Sequence, residues 1–160
     1  MATLLAGKTI FEVGTRNGDI LACVARFASR AYSAEINAKY CPVLKGRGLT
    51  VLCDDFRKYD PADLPGLSKG EVPDVFFWWP MLADEQNEAW MLHIRDALWK
   101  NNLGAGKRVV IAFDHNWFRD RDNMKHMMDT YGNAMAVERH DVQYAESRHW
   151  RGEALHIESS

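Results

Sequence analysis

The feature that most constrains this chain is the alternation of short β-rich apolar runs with segments of helical period. The runs are Lys8 to Gly14, Tyr32 to Ile36, Leu49 to Leu52, Asp74 to Trp79 and Arg108 to Phe113. Between them the apolar residues change period: Ile20, Val24 and Phe27 follow Asp19 at helical spacing, and Trp90, Met91, Ile94 and Leu98 form one face of a longer helix that Asp84 can cap. Asn37 to Lys45 reads as a short helix kinked at Pro42, and Met124, Met128 and Tyr131 mark a last one. Residues 57–73 hold three prolines and two glycines and read as loop with at most one helical turn. Strand-helix repetition of this kind predicts an α/β domain with a parallel sheet. The run Val75-Phe76-Phe77-Trp78-Trp79 is apolar throughout, as a central strand buried on both faces would be. Met135 to Tyr144 and Glu153 to Ile157 alternate loosely and predict an antiparallel hairpin at the sheet edge.

At 160 residues one domain is expected, and 47% hydrophobic with 26% charged residues is the composition of a chain that buries a core. Twenty basic against 22 acidic side chains give a net charge of −2, without the basic excess that phosphate contacts favour, which argues against a nucleic-acid partner. No apolar run approaches the ~20 residues of a membrane span, and a cytoplasmic location is expected. Cys23, Cys41 and Cys53 form no C-x-x-C and read as reduced thiols, and the six histidines contain no H-E-x-x-H, so no metal is expected.

The sharpest motif is Glu12-Val13-Gly14-Thr15-Arg16-Asn17-Gly18, between the first strand and the first helix. Glycines at such a turn let a ligand approach the backbone. The G-x-x-x-G spacing differs from the G-x-G-x-x-G of dinucleotide folds and argues against a nicotinamide enzyme. An acid two residues before the first glycine suits a ligand with an ammonium group. Glu35 ends the second run 21 residues after Gly14, where an acid in an α/β nucleotide fold reaches ribose hydroxyls.

With these residues the chain resembles the class I S-adenosylmethionine-dependent methyltransferases over residues 8 to about 114. The resemblance implies a three-layer α-β-α Rossmann-like methyltransferase fold, with a mostly parallel seven-stranded sheet and an antiparallel C-terminal hairpin. It implies S-adenosyl-L-methionine as cofactor. Glu12, Gly14 and Gly18, with Thr15 and Asn17 as backbone contacts, would wrap its methionine part. Glu35 would bind the ribose, Asp55 the adenine amino group, and Ile36 and Phe56 would flank the adenine ring. It also implies a single minimal domain over residues 1–160 with no N-terminal lid.

The substrate side departs from the pattern. Family members that methylate exocyclic amines carry an Asp- or Asn-Pro-Pro-aromatic motif after strand four, where this chain has Phe77-Trp78-Trp79-Pro80-Met81. Trp78 and Trp79 are candidates for a substrate wall, by stacking or by cation–π attraction, although strand alternation sends one of them to the core. Asp114-His115-Asn116-Trp117 follows strand five, at the carboxyl edge where ligands bind in open α/β sheets. There His115 is the candidate base, Asp114 its orienting partner and Trp117 a further substrate contact. The expected activity is methyl transfer to a small molecule or an exposed group of a partner protein, and a homo-oligomer is compatible with it. The alternative is a catalytically silent cofactor-binding domain serving a regulatory or scaffolding role.

Overall fold

The structure, a computed structural model, describes residues 5–78, 84–99, 103, 107–114, 136–143 and 151–158. The elements in chain order are β1 (Thr9–Val13), α1 (Asp19–Val24), β2 (Arg30–Ala34), α2 (Cys41–Gly46), β3 (Thr50–Leu52), a 3₁₀ turn (Phe56–Lys58), β4 (Val75–Trp78), α3 (Asp84–Trp99), β5 (Arg108–Asp114), β6 (Ala136–Gln143) and β7 (Arg151–Glu158).

β1 lies between β2 and β4, with Val13 level with both Ala34 and Trp78. β3 pairs outside β2 and β5 beyond β4, and all of these pairings are parallel. The order β3-β2-β1-β4-β5 reverses direction between β1 and β4. That is a topological switch point, and in open α/β sheets ligands bind outside the carboxyl ends of the strands at such a point.

Side-chain alternation sorts the core into two layers. Phe11, Val13, Phe76 and Trp78 face one way and pack with Trp90, Ile94 and Leu98, one stripe of α3 at four-residue spacing. Ile10, Val75 and Phe77 face the other way and pack with Leu5 and with Val24 of α1. Every residue of β4 is buried, as the unbroken apolar run predicts. Asp74 ties the strand entrances together: its carboxylate accepts from the Thr9 N–H at 2.9 Å and from Lys107 Nζ at 2.9 Å.

Several expectations need correction. β2 begins and ends two residues earlier than the apolar run suggested, so Glu35 follows the strand and Ile36 is 70% exposed. α2 starts at Cys41. Pro42 sits in its first turn, where its missing N–H has no intrahelical partner to lose, and it does not kink the helix. α1 stops at Val24, and Phe27 lies beyond it, half exposed. Cys41 and Cys53 are not reduced thiols: they form a disulfide with Cα atoms 5.9 Å apart, and only Cys23 is free. The helix expected around Met124 lies outside the described residues.

Candidate functional site

The turn after β1 is built from conformations few residues adopt. Gly14 (φ 73°), Arg16 (φ 54°) and Gly18 (φ 80°) all have positive φ, and Arg16 is the one residue other than glycine to do so among those described. Gly18 is required twice over. A Cβ there would come within 2.5 Å of Leu44 Cδ2 and 2.8 Å of Leu49 Cδ1, so its absence lets α2 and the β3 approach close on the turn. Gly14 needs its conformation rather than space. Its nearest neighbour is the indole of Trp90, 3.8 Å from where a Cβ would stand, and so α3 roofs the turn.

Two carboxylates meet at this turn. Glu12 is 2% exposed, and its Oε2 accepts from Thr15 Oγ1 at 2.6 Å. Burial pushes its carboxyl up to about 7; the Thr15 hydrogen bond opposes that shift and the charge of Glu35 adds to it. None of these influences is cationic, so Glu12 is a buried acid suited to a positively charged ligand.

Glu35, 4% exposed, works as a clip between loops: its Oε2 accepts from the Arg16 N–H at 2.7 Å and its Oε1 from the Asn37 N–H at 2.7 Å. Its own N–H donates to the Leu52 carbonyl at 2.9 Å, which joins the ends of β2 and β3. Beside it Ile36 stands open to solvent. Asn17 lies at the rim, where its Nδ2 donates to Asp19 at 2.6 Å.

After β3, Asp55 caps the 3₁₀ turn by accepting from the Arg57 N–H at 3.1 Å, and its carboxylate is gripped by the Arg57 guanidinium at 2.6 Å. That guanidinium holds the Asp55 carboxyl below its ordinary value. Asp54 pairs instead with Lys58 at 2.7 Å and with the Tyr59 hydroxyl at 3.0 Å.

Burial bears on two of the expected contacts. Phe56 is 2% exposed and packs edge-on against Trp90, with ring centroids 5.7 Å apart, and against His93, as a core residue. Trp78 is fully buried and edge-on to Trp90 at 5.9 Å, under α3, as expected of the one of the tryptophan pair that strand alternation sends to the core. Trp79, His115 and Trp117 lie outside the described residues; Asp114 ends β5.

Three residues matter at this site that the sequence alone did not single out. Arg16 supplies the backbone donor to Glu35, Arg57 fixes Asp55, and Trp90 covers Gly14. A cleft of about 610 Å³ between Arg57–Pro61 and the Ala89–Ala97 stretch of α3 contains none of the glycine-turn residues. Among the described residues no group of three or more His, Cys, Asp or Glu is arranged to hold a metal ion, and no helix is long and apolar enough to cross a membrane.

No protein-family model matches the chain, and no curated protein does. Solved structures do. An rRNA methylase from Streptococcus thermophilus aligns over 99% of this chain and 90% of its own, with TM-score 0.60 and 13% identity. Magnesium protoporphyrin IX methyltransferase from Synechocystis, solved with bound S-adenosylmethionine, aligns over 96% and 71%, with TM-score 0.60 and 13% identity. Precorrin-6y C5,15-methyltransferase from Geobacter metallireducens aligns over 98% and 82%, with TM-score 0.58 and 16% identity. Likeness at this level of identity is likeness of backbone: the chain has the α/β Rossmann-like fold of the class I S-adenosylmethionine-dependent methyltransferases.

Proposed function

We propose that the protein is an S-adenosylmethionine-dependent methyltransferase whose cofactor lies in the crevice above β1 and β4. The observation that carries this reading is the clasp at the switch point, where Glu35 at the end of β2 holds the backbone of the Glu12–Gly18 turn through Arg16. The residues fit the group. Glu12, buried with no cationic influence on it, would face the ammonium end of the methionine part, with Gly14, Thr15, Asn17 and Gly18 giving it close backbone approach. Glu35 keeps free lone pairs on both oxygens for the ribose hydroxyls. Ile36 would lie under the adenine ring, and Asp55, oriented by Arg57, would accept from its amino group.

The bound cofactor supplies a methyl carbon already activated by sulfonium. The chain's part is to fix that carbon in line with the acceptor and to exclude water. His115, oriented by Asp114, would take the acceptor's proton, with Trp79 and Trp117 forming the substrate wall. The same reading completes a seven-stranded sheet in one domain, with β7 antiparallel beside β5 and β6 outermost; the pairings of Arg108 with Glu158 and of Ala136 with Glu158 support it. The acceptor is a small molecule or an exposed group of a partner protein. The fold does not choose it, since the solved structures include an rRNA methylase and a porphyrin methyltransferase.

The test is transfer of labelled methyl from S-adenosylmethionine into fractionated cell extract. Incorporation that depends on the protein and is lost in Glu35→Ala is expected. No incorporation by the unsubstituted protein across protein, nucleic-acid and small-molecule fractions would contradict methyl transfer.

A further inference from the structure

A covalent bond crosses the adenosine side of the proposed site. Cys41 begins α2 at the end of the loop that carries Glu35 and Ile36, and Cys53 directly follows β3 and precedes Asp54 and Asp55. Their disulfide therefore staples together the two segments between which an adenosine would lie. The two halves of the bond differ in access. Cys41 is 7% exposed, with Sγ 3.9 Å from the Glu35 carbonyl oxygen, whereas Cys53 is exposed.

Without the staple, the second segment is anchored behind by β3 and ahead by the buried Phe56, and the stretch between them, Cys53 to Asp55, has no buried side chain. β3 is the edge strand, three residues long, paired among the described residues only to β2, with Thr50 exposed and Val51 and Leu52 half-buried. Beyond the ladder the two loops share one backbone hydrogen bond, from the Glu35 N–H to the Leu52 carbonyl. Short edge strands of this kind open locally at low cost.

We propose that the Cys41–Cys53 pair is a redox latch on the cofactor site: the disulfide holds the adenosine-binding loops at their bound spacing, and reduction to the dithiol releases them and weakens cofactor binding. The proposal rests on the assignment of this crevice to S-adenosylmethionine. The step balances with a dithiol reductant as co-reactant. One of its thiolates attacks the exposed Cys53 sulfur, the S–S bond breaks, and Cys41 leaves as a thiolate that takes a proton and can donate it to the Glu35 carbonyl. The reductant's second thiol, losing its proton, displaces Cys53, so that two electrons and two protons pass to the protein and the reductant becomes a disulfide.

Affinity for S-adenosylhomocysteine is measured by calorimetry on the full chain carrying Cys23→Ser, which removes the remaining free thiol. The protein is taken as the disulfide, after reduction with dithiothreitol, and after reoxidation with diamide, with thiol state verified by alkylation and mass. Hydrogen exchange over residues 36–41 and 53–58 is followed in the same samples. The latch predicts about tenfold weaker binding and faster exchange in both segments on reduction, each restored by reoxidation. Equal affinity in the two verified states overturns the latch and leaves the cofactor assignment standing. Failure of the two cysteines to form a bond under diamide also overturns it. Absence of binding in every state overturns the cofactor assignment and the latch with it.

Discussion

Replacing Glu12 by Gln should make the protein more stable above neutral pH while weakening it as a cofactor binder. The carboxyl is almost wholly buried, and burial raises it from the ordinary 4.5 to about 7. Between those values the folded chain holds a proton that the unfolded chain has released. Stability is therefore greatest below about pH 4.5, falls as pH rises through about 7, and is level above that. At ~1.4 kcal/mol for each pH unit, the ionised carboxylate costs the folded state about 3 kcal/mol at pH 8. The glutamine amide in Glu12→Gln cannot ionise, and its carbonyl can still accept from Thr15 Oγ1. The assay is urea unfolding of both proteins from pH 4.5 to 8.5, taken as the difference between them so that other titrating groups cancel. The substituted protein should gain on the parent steadily from pH 5 to 7.5 and then stay ahead by about 3 kcal/mol. Its affinity for S-adenosylhomocysteine should fall at least tenfold, because the ammonium group loses its anionic partner. A stability difference independent of pH would refute the reasoning, since it would mean that Glu12 titrates normally and is not a buried acid awaiting a cation.

Other substitutions separate architecture from binding. Gly18→Ala forces an L side chain to φ 80° against Leu44 and Leu49, and should lower stability by about 1–3 kcal/mol in chemical unfolding. Glu35→Ala strands the Arg16 and Asn37 N–H groups, at a cost of about 2–3 kcal/mol, and should abolish cofactor binding measured by calorimetry. Trp78→Ala should cost about 3–5 kcal/mol in the same unfolding assay, as emptied core positions do; a stable Trp78→Ala protein that loses only turnover would return that indole to the substrate wall.

The parts of the fold that were readable in advance are those where one local signal decides. β4 announced itself as an unbroken apolar run, and α3 through Trp90, Ile94 and Leu98 at four-residue spacing. The turn from Glu12 to Gly18 was legible because glycine is the residue that adopts positive φ without strain. Boundaries were less legible. β2 was read two residues late because Ile36 extends the apolar run, although its side chain is 70% exposed. Nothing local distinguishes an exposed isoleucine just past a strand from one inside it.

The disulfide was invisible for another reason. Cys41 and Cys53 are 12 residues apart, and it is the parallel pairing of β2 with β3 that brings their Cα atoms to 5.9 Å. The burial of Phe56, and which tryptophan of the pair goes to the core, were not legible, because neighbours in sequence do not reveal which face α3 will cover. The Trp90 indole fills the space beside both Phe56 and Trp78, and a residue placed on the helix face by its period alone could not be assigned those contacts.

The central claim is that the crevice above β1 and β4 takes S-adenosylmethionine, and calorimetric titration of the disulfide form at pH 8 tests it most directly. Saturable one-to-one binding of S-adenosylhomocysteine, lost in Glu35→Ala and weakened in Glu12→Gln, with no heat from NAD, is the predicted result. Binding of NAD without binding of S-adenosylhomocysteine, or unchanged affinity in both variants, would contradict it.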